Sequence, residues 1–220
     1  MKPIVLINPN TSSATTAMMT TIAGKYAAGI PVVGKTASRG VPMILDEQAL
    51  HAAAEGVVAM GRQAEVDGAA GIVVSAFGDP GLEALARICR IPVVGICEAS
   101  MLEASYGNRR FGIATVTPDL VASFATKAEA LGRKDLFTGT RLTGGDPMQL
   151  TADPAMLRDA LLEVARICFE KDGAEAVIIG GGPLGEAAEY IQQSLSAPVI
   201  APIRSAVTLL LSRLSSEQSR

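Results

Sequence analysis

The sequence predicts an α/β fold of two similar lobes built on mostly parallel sheets, and three observations carry that prediction. The first is an internal repeat. Asp67-Gly68-Ala69-Ala70-Gly71-Ile72-Val73-Val74-Ser75-Ala76-Phe77-Gly78 returns 105 residues later as Asp172-Gly173-Ala174-Glu175-Ala176-Val177-Ile178-Ile179-Gly180-Gly181-Gly182-Pro183. Ile91-Pro92-Val93-Val94-Gly95 returns as Ala197-Pro198-Val199-Ile200-Ala201, and Ile4-Val5-Leu6-Ile7-Asn8 as Phe111-Gly112-Ile113-Ala114-Thr115, in the same order at offsets of 106 and 107. A period near half of the 220 residues is too long for a solenoid. It implies two lobes related by an approximate two-fold, whose equivalent strand ends face one another across a cleft. The second observation is the alternation of short β-branched runs with longer stretches of helical period, the pattern of right-handed β–α–β crossovers. The third is the distribution of apolar residues. They make up 49% of the chain, yet they fall in short Ala, Val, Ile and Leu runs, as buried parallel strands covered by helices require.

In chain order, Ile4 to Ile7 is the first strand and the first helix begins near Thr11. Pro31 to Lys35 is a weaker strand. Asp46-Glu47 opens a helix, because acids suit the positive end of the helix dipole. Ile72 to Ser75 and Val93 to Ile96 are strands, with a helix between them from about Pro80. Gly112 to Thr115 opens the second lobe's set. Thr117-Pro118-Asp119 offers a threonine cap before a proline at the first helical position, and Asp153-Pro154 does the same with an aspartate. Val177 to Ile179 and Val199 to Ile200 are the remaining strands, with a helix from Gly185 between them. The lobe junction is expected between Glu98 and Asn108. Residues 1–98, with a last helix from about 205 to 220 packing back on them, form the first lobe, and 99–204 form the second.

Bulk properties narrow the function. Net charge is −3, with no basic block and only 4% aromatic residues, which disfavours nucleic acid as a partner. No run approaches the roughly 20 apolar residues that a membrane helix needs, and the N-terminal β-type run is too short for a signal peptide. Three cysteines without CxxC or zinc spacing point to a reduced, cytoplasmic protein. Cys89 and Cys168 lie in apolar helical stretches and read as packing residues, and Cys97, after a strand, reads as a buried structural thiol. The single histidine, His51, excludes a His-rich metal site and reads as a helix-surface residue, since no Ser/Asp partner pattern accompanies it. No metal and no cofactor is expected.

In open parallel sheets, ligands bind beyond the carboxyl ends of the strands. Four such ends carry small polar or glycine-rich loops, and they form two repeat-related pairs. The expected substrate contacts are Asn8, Asn10 and Thr11 in the first loop and Ser75, Ala76 and Phe77 in the second. The third loop adds Thr115 and Val116, and the fourth adds Gly181 and Gly182. Short side chains at these places let backbone N–H groups at helix starts approach an anion or a carbonyl oxygen. Gly180-x-Gly182-x-x-Gly185 formally matches a dinucleotide fingerprint. The following strand, Pro198-Val199-Ile200-Ala201-Pro202, lacks the acidic residue that would hold a ribose, so the match is set aside.

Asn8-Pro9-Asn10-Thr11-Ser12, Ala76-Phe77-Gly78-Asp79-Pro80-Gly81-Leu82, Pro92-Val93-Val94-Gly95-Ile96-Cys97-Glu98-Ala99 and the glycine loop at Gly180 together resemble the hydantoin and allantoin racemase branch of the aspartate/glutamate racemase superfamily. The resemblance runs through the whole chain, and Phe-Gly-Asp-Pro-Gly is its most specific part. It implies two Rossmann-like lobes, each with a mostly parallel four-stranded sheet, a site between them, a homo-oligomer, and cofactor-free chemistry at a carbon next to a carbonyl. It also implies two cysteines, one per lobe, acting as acid and base on opposite faces of that carbon. Their positions are occupied here by Ala76 and Gly181, which carry no titratable proton. Two-base inversion needs a proton carrier on each face. The resemblance therefore leaves Glu47, Asp79 and Glu98 as substitute acid/base groups, with Glu47 the one assigned. The expected function is a racemase or isomerase acting on a small hydantoin-like or amino-acid-derived carbonyl compound. Two alternatives stay open: a cofactor-free lyase or hydrolase on a small cyclic amide or carboxylate, and a catalytically inactive small-molecule binder.

Overall fold

A computed structural model of the chain describes residues 1–218. The chain divides into two compact units, Met1–Ala99 with the chain from Ile203 onward, and Ser100–Pro202. In the first unit, β1 (Ile4–Asn8), α1 (Ser13–Tyr26), β2 (Val32–Thr36), α2 (Glu47–Val66), β3 (Gly71–Val74), α3 (Leu82–Ile88) and β4 (Val93–Gly95) follow in order. Next, α4 (Ile96–Ala104) starts in the first unit and ends in the second. The second unit continues with β5 (Phe111–Thr115), α5 (Val121–Ala130), β6 (Phe137–Leu142), α6 (Pro147–Ala152), α7 (Pro154–Glu170), β7 (Ala176–Ile179), α8 (Gly185–Ser194) and β8 (Val199–Ile200). The last helix, α9 (Pro202–Gln218), belongs to the first unit from Ile203.

Among the described residues, each unit holds one four-stranded sheet, ordered β2-β1-β3-β4 in the first and β6-β5-β7-β8 in the second. Every strand pair is parallel. The sequence repeat is a repeat of register. Ile4 pairs with Gly71 as Phe111 pairs with Ala176, and Ile72 pairs with Val93 as Val177 pairs with Val199. The residues joined by the repeat therefore hold the same rung of the same strand in each sheet.

The central strands are buried on both faces, as parallel strands under helices must be. Ile4, Leu6, Ile7, Ile72, Val73 and Val74 have no solvent exposure. One stripe of α2, at Leu50, Val57, Gly61 and Ala64, is buried, and Val57 and Ala64 belong to an apolar cluster with Val5, Ile72, Leu85 and Val93. Burying a Val, Leu or Ile side chain stabilises by about 1.5–3 kcal/mol, so this cluster holds α2 and α3 against β1, β3 and β4. The cap read at Asp153 forms, its carboxylate accepting the N–H groups of Ala155 and Met156 at 3.0 and 3.1 Å, and Asp46 caps the helix it opens by accepting the Ala49 N–H at 2.7 Å.

The structure departs from the sequence reading at four places. β6 was not anticipated, because it is a half-exposed edge strand interrupted by Gly139 at φ +118° and paired with β5 through a register shift. α4 starts at Ile96, which reads locally as the last strand residue. α6 is a six-residue helix capped by Asp146. Finally, Thr117 precedes a 3₁₀ turn, Pro118–Leu120, rather than an α-helix, and its side chain does not cap it. Among the described residues, no helix is long and apolar enough to cross a membrane.

Candidate functional site

At the end of β1, two buried asparagines organise the turn into α1. The Asn8 amide donates to Asn10 Oδ1 at 2.8 Å, Thr16 Oγ1 at 3.0 Å and the Ser12 carbonyl at 3.1 Å, while its own Oδ1 accepts the Asn10 N–H at 3.2 Å. Asn10 Oδ1 also accepts the Ser12 N–H at 2.9 Å. Because a backbone N–H needs an acceptor, this network sets which way the Asn10 amide faces. Its oxygen is used twice, and its NH₂ group donates to no protein atom among the described residues, although Asn10 is only 5% exposed. The Ser12 side chain then caps α1 by accepting the Thr15 N–H at 3.2 Å. The first amides of α1 have no intrahelical acceptor and add to the donor character of this corner. Thr11 is tied to the following loop, its N–H donating to the Val41 carbonyl at 3.0 Å.

β3 lies beside β1, so Ser75 sits next to Asn8. The Ser75 hydroxyl donates to the Ile7 carbonyl at 2.8 Å, and its N–H donates to the same oxygen at 2.9 Å. With its one proton committed, this hydroxyl can offer a ligand only lone pairs. Ala76 is partly exposed and Phe77 is buried. The chain then bends through Asp79 at φ +52°, and the Asp79 carboxylate accepts the N–H groups of Cys97 at 2.8 Å and Glu98 at 2.7 Å. Both oxygens cap the start of α4. The Asp79 carboxylate is therefore buried and bonded at both oxygens.

In the second unit, Thr115 Oγ1 donates to the Gly180 carbonyl at 2.6 Å. Its contact with Thr117 Oγ1 at 3.1 Å then has Thr117 as donor, since a hydroxyl has one proton. Thr115 and Thr117 are the repeat counterparts of Asn8 and Asn10. The same side-chain link recurs at the same place with hydroxyls in place of amides. Thr117 was missing from the predicted contacts, and its offset of 107 from Asn10 was the signal that could have found it. Thr143 was also missed. Its N–H donates to the Thr115 carbonyl at 3.0 Å, and its hydroxyl is buried without a partner. Val116 and Gly182 are buried, while Gly181 is partly exposed.

The Ser75 N–H donates to the Ile7 carbonyl and the Gly180 N–H to the Ala114 carbonyl, each at 2.9 Å. These bonds make Ser75 and Gly180 equivalent, and hence Ala76 and Gly181 as well. Each is a partly exposed residue between two buried ones at the end of the second strand of its β1–β3 or β5–β7 pair.

Glu47 is exposed in the first turn of α2. Glu98 pairs with Arg213 on α9 at 2.6 Å. His51 is exposed on α2. Cys97 and Cys168 are buried and Cys89 is half-buried. Burial, reinforced by Glu65, pushes the Cys89 thiol up to about 11, and burial, reinforced by Asp172, pushes Cys168 up to about 12. Neither is a thiolate near neutral pH. Among the described residues, no group of three or more His, Cys, Asp or Glu side chains could hold a metal ion.

Known proteins match this arrangement along the whole chain. The hydantoin racemase of Rhizobium meliloti is 28% identical over 207 residues, covering 94% of this chain and 86% of that protein. The structure of allantoin racemase from Klebsiella pneumoniae has 28% identity and a TM-score of 0.92, covering 99% of this chain and 89% of that one. Allantoin racemase from Pseudomonas fluorescens shares the fold at 24% identity and a TM-score of 0.88, covering 98% of this chain and 92% of that one. The family model for Asp/Glu/hydantoin racemases matches residues 4–210, and the chain belongs to that family.

Proposed function

We propose that this chain is a cofactor-independent enzyme of the isomerase class that binds a small hydantoin-like or amino-acid-derived carbonyl compound at its strand-end loops. The observation that carries this reading is the buried Asn10 amide, whose oxygen is fixed as an acceptor and whose NH₂ is left for a ligand. With the amides opening α1, it forms a neutral donor set suited to a carbonyl or carboxylate oxygen. Drawing electron density onto such an oxygen acidifies the neighbouring carbon, and donors already in place stabilise the charge that develops. Proton transfer to and from that carbon then needs a positioned base. Ala76 and Gly181 cannot supply one, and Glu47 is the residue assigned to the task.

A second reading is favoured by one specific observation. The two equivalent positions that the resemblance gives to catalytic thiols hold Ala76 and Gly181, and both are partly exposed. Such space admits water or a bulkier substituent, which suits a lyase or hydrolase on a cyclic amide or carboxylate, or binding without turnover. The test is a panel of 5-substituted hydantoins, allantoin, amino acids and dicarboxylates followed by NMR in heavy water. Loss of the α-proton signal with loss of optical rotation supports the isomerase, and Glu47→Gln should then slow it. Product formation without α-exchange supports the lyase or hydrolase. Thermal stabilisation without either change supports a binder.

A further inference from the structure

We infer that Arg213, on the last helix, is a positioning residue for the Ala76–Phe77 loop, to which it is linked through Glu98 and Asp79. The inference rests on the reading of that loop as part of the ligand site. Arg213 Nη2 donates to Glu98 Oε1 at 2.6 Å, and its Nη1 donates to the Val93 carbonyl at 2.8 Å. One planar guanidinium thus bridges the first residue of β4 and the first turn of α4. At that same turn the N–H groups of Cys97 and Glu98 bond to the Asp79 carboxylate. Asp79, Val93, Glu98 and Arg213 all belong to the first unit. The Glu98 side chain is only 15% exposed, so its charge-assisted bond to Arg213 is little screened by solvent.

The strand–loop–helix plan does not by itself demand these contacts, because the second unit follows the same plan with other residues. At the repeat offsets, Leu184 stands in place of Asp79, Ala201 in place of Gly95 and Arg204 in place of Glu98. Leu184 is a buried apolar side chain, and Ala201 carries the Cβ for which the Asp79 carboxylate leaves no room at Gly95. The differences go together: where the carboxylate is replaced, its glycine and its acidic neighbour are replaced as well. How each loop is held is therefore specific to its unit.

Asp79 sits at φ +52°, a left-handed conformation that a non-glycine residue keeps only where contacts hold it. The Cys97 and Glu98 amides are among those contacts, and Arg213 fixes the turn that presents them. Loosening α4 from α9 therefore loosens Asp79, and with it the loop that carries Ala76 and Phe77.

The experiment is NMR-detected hydrogen exchange of the full chain and of Arg213→Met, which keeps an apolar stem and removes the donors. The Asp79, Cys97 and Glu98 amides should exchange faster by about tenfold or more. The Gly180 amide, bonded to the Ala114 carbonyl in the second unit, should keep its rate. Arg213→Lys retains the charge and should recover part of the protection. Glu98→Gln leaves the Val93 bond in place and should give a smaller change at the same three amides, which keeps the test open if Arg213→Met does not fold. Combining the Met and Gln changes should add little to Arg213→Met alone, because both break one pair. Unchanged exchange at the three amides would overturn the inference. Equal acceleration at Gly180 would overturn it too, by making Arg213 a contributor to global stability only. For a panel compound that the parent converts, Arg213→Met should lower kcat more than it raises KM, and parental kcat and KM would refute the positioning role. Exchange needs no ligand, so local loosening with a panel that neither binds nor reacts would sink the functional reading while keeping the link from Arg213 to the loop.

Discussion

Asp79 and Cys97 are joined by a buried hydrogen bond of 2.8 Å in which the Asp79 carboxylate accepts the Cys97 backbone N–H. The second carboxylate oxygen takes the Glu98 N–H at 2.7 Å, so one side chain anchors the Ala76–Phe77 loop to the start of α4. Gly95 makes this approach possible, since a Cβ there would lie 2.2 Å from Asp79 Cγ. Asp79→Ala strips both amides of their acceptor and should cost roughly 2–4 kcal/mol. Gly95→Ala should also destabilise, by pushing the same carboxylate away. Denaturant unfolding checks both, and an Asp79→Ala chain as stable as the parent would refute the anchoring role.

The equivalence of Ala76 and Gly181 makes restoration of thiols a direct test of the family chemistry. The two positions are not equally receptive. A Cβ at Gly181 would lie 2.9 Å from Leu184 Cγ, and Leu184 is buried. Gly181→Cys alone should therefore destabilise by about 1–3 kcal/mol, and Leu184→Val should recover part of that loss. In that background, Ala76→Cys with Gly181→Cys should create or raise racemisation of 5-substituted hydantoins. Polarimetry reads the outcome.

Asn10→Asp separates the two jobs of the Asn10 side chain. The aspartate keeps an oxygen for the Asn8 amide and the Ser12 N–H, so the turn should survive. The free NH₂ is replaced by an anionic oxygen, which repels a carbonyl or carboxylate. Affinity for whichever panel compound binds the parent should fall by about tenfold or more, with an unchanged far-UV circular dichroism spectrum. Undiminished affinity would show that Asn10 is structural only.

The cysteines predict a pH dependence. Cys89 and Cys168 have thiols raised from an ordinary 9.0 to about 11 and about 12, chiefly by burial. Folding therefore favours their protonated forms. The stability they contribute is present below about pH 9 and is lost as pH rises through 11 and 12. At pH 9, alkylation by iodoacetamide in the native state should be slower than in denaturant by about tenfold or more. Mass spectrometry of each cysteine peptide provides the check. Any turnover should survive such treatment, because none of the three thiols lies at the Ala76 or Gly181 position.

Much of the fold could be read locally. The three repeat offsets reappear as strand registers because buried parallel strands need β-branched runs at each rung, and both sheets are built on the same rungs. Asp153 was readable as a cap because a cap bonds to amides within three residues of itself. β6 was not readable, since an edge strand needs no continuous apolar run and Gly139 breaks the one it has. The strand-end loops were recognisable as a set from their small polar composition, but the division of labour within them was not.

The sequence by itself determined two α/β units on mostly parallel sheets, the positions of the strand-end loops, and the absence of a proton carrier at Ala76 and Gly181. Periodicity, turn residues and self-similarity are all properties of neighbouring residues or of aligned segments. The tertiary structure alone decided which polar groups are already engaged. It turned Asp79 from a candidate acid into the cap of a helix 18 residues away, and it paired Glu98 with Arg213 across 115 residues. It also left the Asn10 NH₂ group without an acceptor among the described residues. The physical reason is that a buried polar group must find a partner wherever the folded backbone offers one, and sequence distance says nothing about where that will be.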